Sequence, residues 1–123
     1  MATINEVLER VSRTKPNSMD DTDKARILVE LDNRIYQEIT AVDEPDRVPP
    51  KEWPEDEDEE LIVRAPYDNL YDFYLTAMIE YWMREYGNYN NSTALFREAY
   101  NEFRSRWRRD HTPAKRPGFQ VMR

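Results

Sequence analysis

Apolar residues recur at helical spacing in four stretches of this chain, and the densest, Tyr67 to Arg109, predicts the centre of the fold. Tyr67, Leu70, Tyr71, Tyr74, Ala77, Met78 and Tyr81 follow the i, i+3, i+4, i+7 spacing of one continuous helical face. Phe73, Ile79, Trp82 and Met83 form a second row off that face, so this helix is expected to be covered on more than one side. Gly87 with Asn88, Asn90 and Asn91 marks its end near Tyr86, because glycine and asparagine accept the left-handed conformation in which helices stop. Asn91 or Ser92 then caps a further helix, Thr93 to about Arg109, which presents Phe96, Ala99, Tyr100, Phe103 and Trp107. So short a connection predicts an antiparallel hairpin.

Two helices precede it. Thr3-Ile4-Asn5-Glu6 has the form of a capping box, and Ile4, Val7, Leu8 and Val11 make one stripe that Lys15-Pro16-Asn17 closes. Ser18-Met19-Asp20-Asp21 starts a second helix running to about Thr40, with acids where the N-terminal dipole favours them. Ala25, Leu28, Leu31, Ile35 and Ile39 keep its inward spacing, while Glu30, Asp32, Arg34 and Glu38 take mostly other faces. The helical pattern breaks between Val42 and Pro66, where five prolines and many acids predict an extended loop. Leu61-Ile62-Val63 within it has strand length, and forms a short strand or docks extended on the helices. Pro66 falls at or just before the next helix start, with Asp68 in its first turn. The fold class is therefore all-α: a small bundle built on a helical hairpin, one domain over 1–111 with an acidic proline-rich loop at 42–66. An extended tail comes last, at 112–123, basic with an apolar tip.

Composition changes this picture in two ways. The 123 residues contain no cysteine, which removes disulfides, thiolate zinc sites and cysteine nucleophiles. The net charge of −7 argues against adhesion of the whole chain to nucleic acid, yet acids crowd Asp43 to Glu60 and bases crowd Arg104 to Arg123, a polarity suited to head-to-tail contact or docking on a charged partner. No apolar run approaches bilayer length and no signal peptide opens the chain, so it is expected in the cytoplasm.

The candidate sites are few. Glu55-Asp56-Glu57-Asp58-Glu59-Glu60 reads first as a solvated loop; a calcium or magnesium site would need a turn glycine between spaced carboxylates, and none occurs. In a ring, the same acids would repel DNA phosphates along a channel or meet a neighbouring subunit. Asp20, Asp21 and Asp23 suit a helix N-terminus without a metal, and His111, the single histidine, suits a helix C-terminus. Arg104, Arg106, Arg108 and Arg109 scatter around their helix, which points to ion pairs or an interface more than to a nucleic-acid strip. Phe73, Ile79, Met83, Arg104 and Arg108 are the candidates for contact between copies. No nucleophile motif, phosphate loop or zinc spacing is present, so neither an enzyme nor a cofactor is expected.

One set of motifs is distinctive: T-I-N-E-V at the start, K-P-N-S-M-D-D-x-D-K-A-R and L-D-x-R-I-Y-x-E-I in the second helix, A-P-Y-D-x-L-Y, and Y-N-N-S-x-A-L-F-x-x-A-Y-x-x-F. Together, from Thr3 to about Arg109, they resemble small phage and prophage proteins, the head-tail connectors (adaptors, head-completion proteins) of long-tailed bacteriophages. The resemblance implies an α-helical subunit assembled as a twelve-fold homo-oligomeric ring beneath the portal protein. Such a ring, built in the host cytoplasm and located in the virion neck, extends the channel for packaged DNA and offers a platform to the next neck or tail-completion protein. It also implies portal docking by the C-terminal segment, here Lys115, Arg116, Phe119, Val121, Met122 and Arg123. No membrane partner is implied. The contrasting reading, from charge alone, is an intracellular phage-encoded regulator whose acidic loop imitates nucleic acid and occupies a basic partner.

Overall fold

The computed structural model describes residues 2–56 and 59–111. It has four α-helices: α1 (Ile4–Thr14), α2 (Asp21–Ile35), α3 (Asn69–Trp82) and α4 (Tyr86–His111). Among the described residues no strand forms, and the one β-bridge joins Thr3 to Glu60. The chain is all-α.

The first two helices match their patterns. Thr3 caps α1 reciprocally, its hydroxyl accepting the Glu6 N–H while its own N–H donates to the Glu6 carboxylate, and Ile4, Val7, Leu8 and Val11 are buried. In α2 the buried row is Ala25, Leu28, Leu31 and Ile35. The helix continues through a π turn, Tyr36–Thr40, closed by the Ala41 N–H donating to the Tyr36 carbonyl at 2.8 Å. One extra residue in a turn rotates the side chains downstream of it about the helix axis. Ile39 is consequently only half-buried, and Thr40 takes the inward position.

α3 and α4 pack antiparallel: Tyr81 meets Tyr89 near the connection, and Tyr74 meets Phe96 further from it. The connection itself differs from the sequence expectation. α3 stops at Trp82, and Arg84, not Gly87, takes the left-handed conformation, at φ 63°. The Glu85 N–H donates to the Glu80 carbonyl and the Arg84 N–H to that of Tyr81, which is the Schellman pattern with Arg84 as the residue past the cap. Gly87, Asn88, Asn90 and Asn91 are not a loop; they lie in the first turns of α4, which starts at Tyr86 rather than Thr93. Glu85 supplies the start, its carbonyl accepting from Tyr89 and its carboxylate from Asn88.

The inward face of α3 is also shifted from the pattern. Leu70, Tyr71, Leu75, Ala77 and Ile79 are buried, whereas Tyr74, Met78 and Phe73 are half-buried and Tyr81, Trp82 and Met83 are exposed. α1 ends at Thr14, before it can reach over the last turn of α3. Instead Lys15 spans the gap, its ammonium 2.5 Å from Glu85 and 3.5 Å from Glu80, whose carboxylate also accepts from Ser92 at 2.6 Å. At the other end of this packing, the Arg10 guanidinium forks onto Asp72 and reaches Asp68, tying α1 to the start of α3. Hydrogen bonding to Asp72 pulls the Arg10 pKa up, while burial pushes the Asp72 carboxyl up against the pull of Arg10.

The 42–66 segment is docked rather than free. Leu61, Ile62 and Val63 form no strand; they lie in the core beside α1, α2 and α3 as an irregular strap that bends at Ile62 and Val63. A segment without helix or sheet must place its backbone donors elsewhere. Ile62 donates to the carboxylate of Asp32, Val63 to the hydroxyl of Tyr71, and Tyr71 in turn donates to Asp32 at 2.5 Å. Asp32, expected on an outward face of α2, is therefore fully buried, and burial pushes its carboxyl up to about 6 against these hydrogen bonds.

Candidate docking surfaces

Three surfaces remain once the core is assigned. The first is the end of the hairpin. Tyr81, Trp82 and Tyr86 are 56%, 52% and 53% exposed, with Met83 and Arg84 beside them. The rings are ordered among themselves, Tyr81 packing edgewise on Tyr86 and tilted on Tyr89. A cluster of Trp, Tyr, Met and Arg is the composition enriched at protein interfaces. Met83 was a sequence candidate and belongs to this patch. Ile79 was another, but it is fully buried inside the subunit and has no surface to offer a second copy. The 3.6-residue period puts it on the core side with Leu75. Phe73 is half-buried.

The second surface is the acidic segment, anchored at several points. Trp53 packs against the core and donates its indole N–H to Asn5 at the start of α1. Asp56 accepts the N–H groups of Lys51 and Glu52, and these two bonds hold its carboxyl below its usual range. Glu60 bridges to Thr3 and pairs with Arg64 at 3.8 Å. Of the six-residue acidic run, Asp56 and Glu60 thus have structural duties, Glu55 and Glu59 are exposed, and Glu57 and Asp58 lie outside the described residues.

The third is the C-terminal half of α4, laid against the end of α2. A cleft of about 440 Å³ lies between them, lined by Glu38, Asp43, Tyr100, Arg104, Trp107 and Arg108. Tyr100 donates to Glu38 at 2.9 Å and Trp107 to Asp43 at 2.8 Å. Burial, reinforced by Glu38, pushes the Tyr100 hydroxyl up to about 12. Arg104 and Arg108, candidates for contact between copies, share this cleft with the chain's own acids. His111 stacks on Trp107 with ring centres 3.9 Å apart, donates from Nδ1 to the Trp107 carbonyl and approaches Glu44 at 3.3 Å. The bond to Trp107 and, after it, Glu44 raise its pKa. A raised histidine supplies stability that is complete below its ordinary range and is lost as pH rises through the folded value. His111→Gln is accordingly expected to cost roughly 0.5 kcal/mol more at pH 5.5 than at pH 9 in urea unfolding, and equal costs at both would refute the assignment.

The portal-docking candidates Lys115, Arg116, Phe119, Val121, Met122 and Arg123 lie outside the described residues. The structure brings Arg104 and Arg108 together, and places Met83 with Tyr86 and with Tyr81 and Trp82, which the sequence pattern assigned to covered rows. Among the described residues no three His, Asp or Glu side chains approach as a metal site, and no helix is long and apolar enough to cross a membrane. A scan against protein-family models and searches of curated proteins and of solved structures found no match.

Proposed function

We propose that this chain is a structural subunit of a phage neck: a head-tail connector that forms a homo-oligomeric, twelve-fold ring beneath the portal protein, continues the channel for packaged DNA and receives the next neck or tail-completion protein. The observation that carries the reading is that the two ends of the subunit are unlike. One end exposes aromatic rings and an arginine; the other carries the exposed acids of the 42–66 segment and the root of the basic tail at His111. Unlike ends favour heterologous contact, which closes into a ring when its rotation allows. The connector-like motifs add support, because they contain the fold's own fastenings, Asp32 with Tyr71 and Ser92 facing Glu80.

Native mass spectrometry and electron microscopy of the chain with its portal protein are expected to show a closed ring on the portal. A chain that stays monomeric and ignores the portal would overturn the proposal. Deleting residues 119–123 is expected to weaken portal attachment about tenfold or more, the loss of a small apolar and charged anchor, while leaving the helical circular dichroism unchanged. Unaltered attachment would remove the tail from the docking role.

A further inference from the structure

We infer that the aromatic end of one copy docks on the acidic segment of the next, with Trp82 and Arg84 set against that segment's exposed carboxylates; this rests on the ring reading and specifies its subunit contact.

The argument starts from hydrogen-bond donors. Both other tryptophans end on side-chain oxygen acceptors, Trp53 on Asn5 and Trp107 on Asp43. At the hairpin end the indole N–H of Trp82 and the hydroxyls of Tyr81 and Tyr86 have no hydrogen-bond partner among the described residues, and Arg84 has no ion pair among them. Arg84 is moreover held at φ 63°, where glycine is the unstrained choice. The patch is thus apolar in area, and its Trp82 indole and Arg84 guanidinium can only donate, which selects a partner that offers acceptors beside a small apolar contact. An acidic surface meets that description, and a basic one does not.

This chain carries such a surface. Asp46, Glu52, Glu55 and Glu59 are exposed and make no ion pair among the described residues, unlike Glu44 and Glu60 in the same segment, while Asp56 is taken up by backbone N–H groups. Val48, in the same segment, is exposed too. A subunit does not satisfy its own tip with this segment, because α1 separates the two: Trp53 of the segment is bonded to Asn5 at the start of α1, and Glu85 of the tip is bonded to Lys15 just past its end. The ten residue steps from Asn5 to Lys15, at 1.5 Å each, put these points ~15 Å apart. The donor end and the acceptor segment therefore meet only between copies, head to tail.

Sedimentation velocity of the full chain over a range of concentrations tests this. Arg84→Glu and Trp82→Ala are each expected to weaken assembly about tenfold or more, with circular dichroism unchanged. Glu52→Lys with Glu55→Lys is expected to weaken it likewise, and combining these two with Arg84→Glu in one chain to recover part of the loss, since the reversed charges then face one another again. Arg84→Gly separates interface from fold: it is expected to raise the thermal midpoint by relieving the left-handed position and to weaken assembly by removing the cation. If the wild-type chain assembles and these variants assemble as it does, the contact is overturned and the ring reading stands. If the wild-type chain remains monomeric at every concentration and on the portal, both fall.

Discussion

Asp32→Ala is expected to lower stability by about 3 kcal/mol at pH 5, because it strands the Ile62 N–H and the Tyr71 hydroxyl, two buried donors whose only acceptor among the described residues is this carboxylate. The same carboxylate predicts an unusual pH profile. Its pKa rises from 3.8 to about 6 through burial, the first cause, with Tyr71, Ile62 and Arg47 opposing. A carboxyl raised in the folded state contributes stability that is complete below the unfolded value and is lost as pH rises through the folded one. The shift corresponds to about 3 kcal/mol, most of which disappears between pH 4 and pH 7. Asp56 and Glu85 are shifted down and act only below the ordinary carboxylate range, so they leave the window from pH 5 to 7 clear. His111, raised above its ordinary value, loses its contribution mainly above that window, and Asp72, also raised, acts with the same sign as Asp32. Comparison with Asp32→Asn isolates Asp32, since the amide keeps an acceptor oxygen without titrating. The wild type is expected to lose stability from pH 5 to 7 more steeply than the Asn variant. Parallel profiles, or an Ala variant as stable as wild type, would show that Asp32 does not fasten the strap.

Leu61→Ala is expected to cost about 3 kcal/mol in urea unfolding, while Val48→Ala, thirteen residues earlier in the same loop, changes stability by less than about 0.5 kcal/mol. Leu61 is fully buried among the helices and its N–H donates to Ala2 at 2.8 Å, whereas Val48 is exposed. Truncating Leu61 removes its apolar contacts and leaves a cavity between a strap and helices that are fastened by hydrogen bonds and close only partly. A free acidic loop would give two small and equal effects. That result would detach the strap from the core and with it the account of Asp32.

Much of the helical frame was legible in the sequence. The capping box at Thr3, the stripe Ile4-Val7-Leu8-Val11 and the row Ala25-Leu28-Leu31-Ile35 specify their helices and inward faces, because an amphipathic period and a cap are properties of neighbouring residues. The errors lie where a distant contact overrode a local preference. Gly87 is the local choice for a helix stop, yet the Schellman turn sits at Arg84, where Lys15 pins Glu85. Asp32 looked outward because a carboxylate normally does, and only Tyr71 and the strap, 39 and 30 residues away, make its burial tolerable.

The candidate surfaces divide in the same way. Composition announced the acidic segment and the aromatic surplus without assigning them a side. Trp82 and Tyr81 continue the apolar pattern of α3, and periodicity counts them as inward. Both are exposed, because no other element of the described residues covers them. Helix identity, the inward faces of α1 and α2 and the polarity of charge were thus set along the chain, by interactions within a few residues. Which apolar row becomes core, which becomes an interface and which acid is buried were set across it, because burial depends on what another element happens to cover.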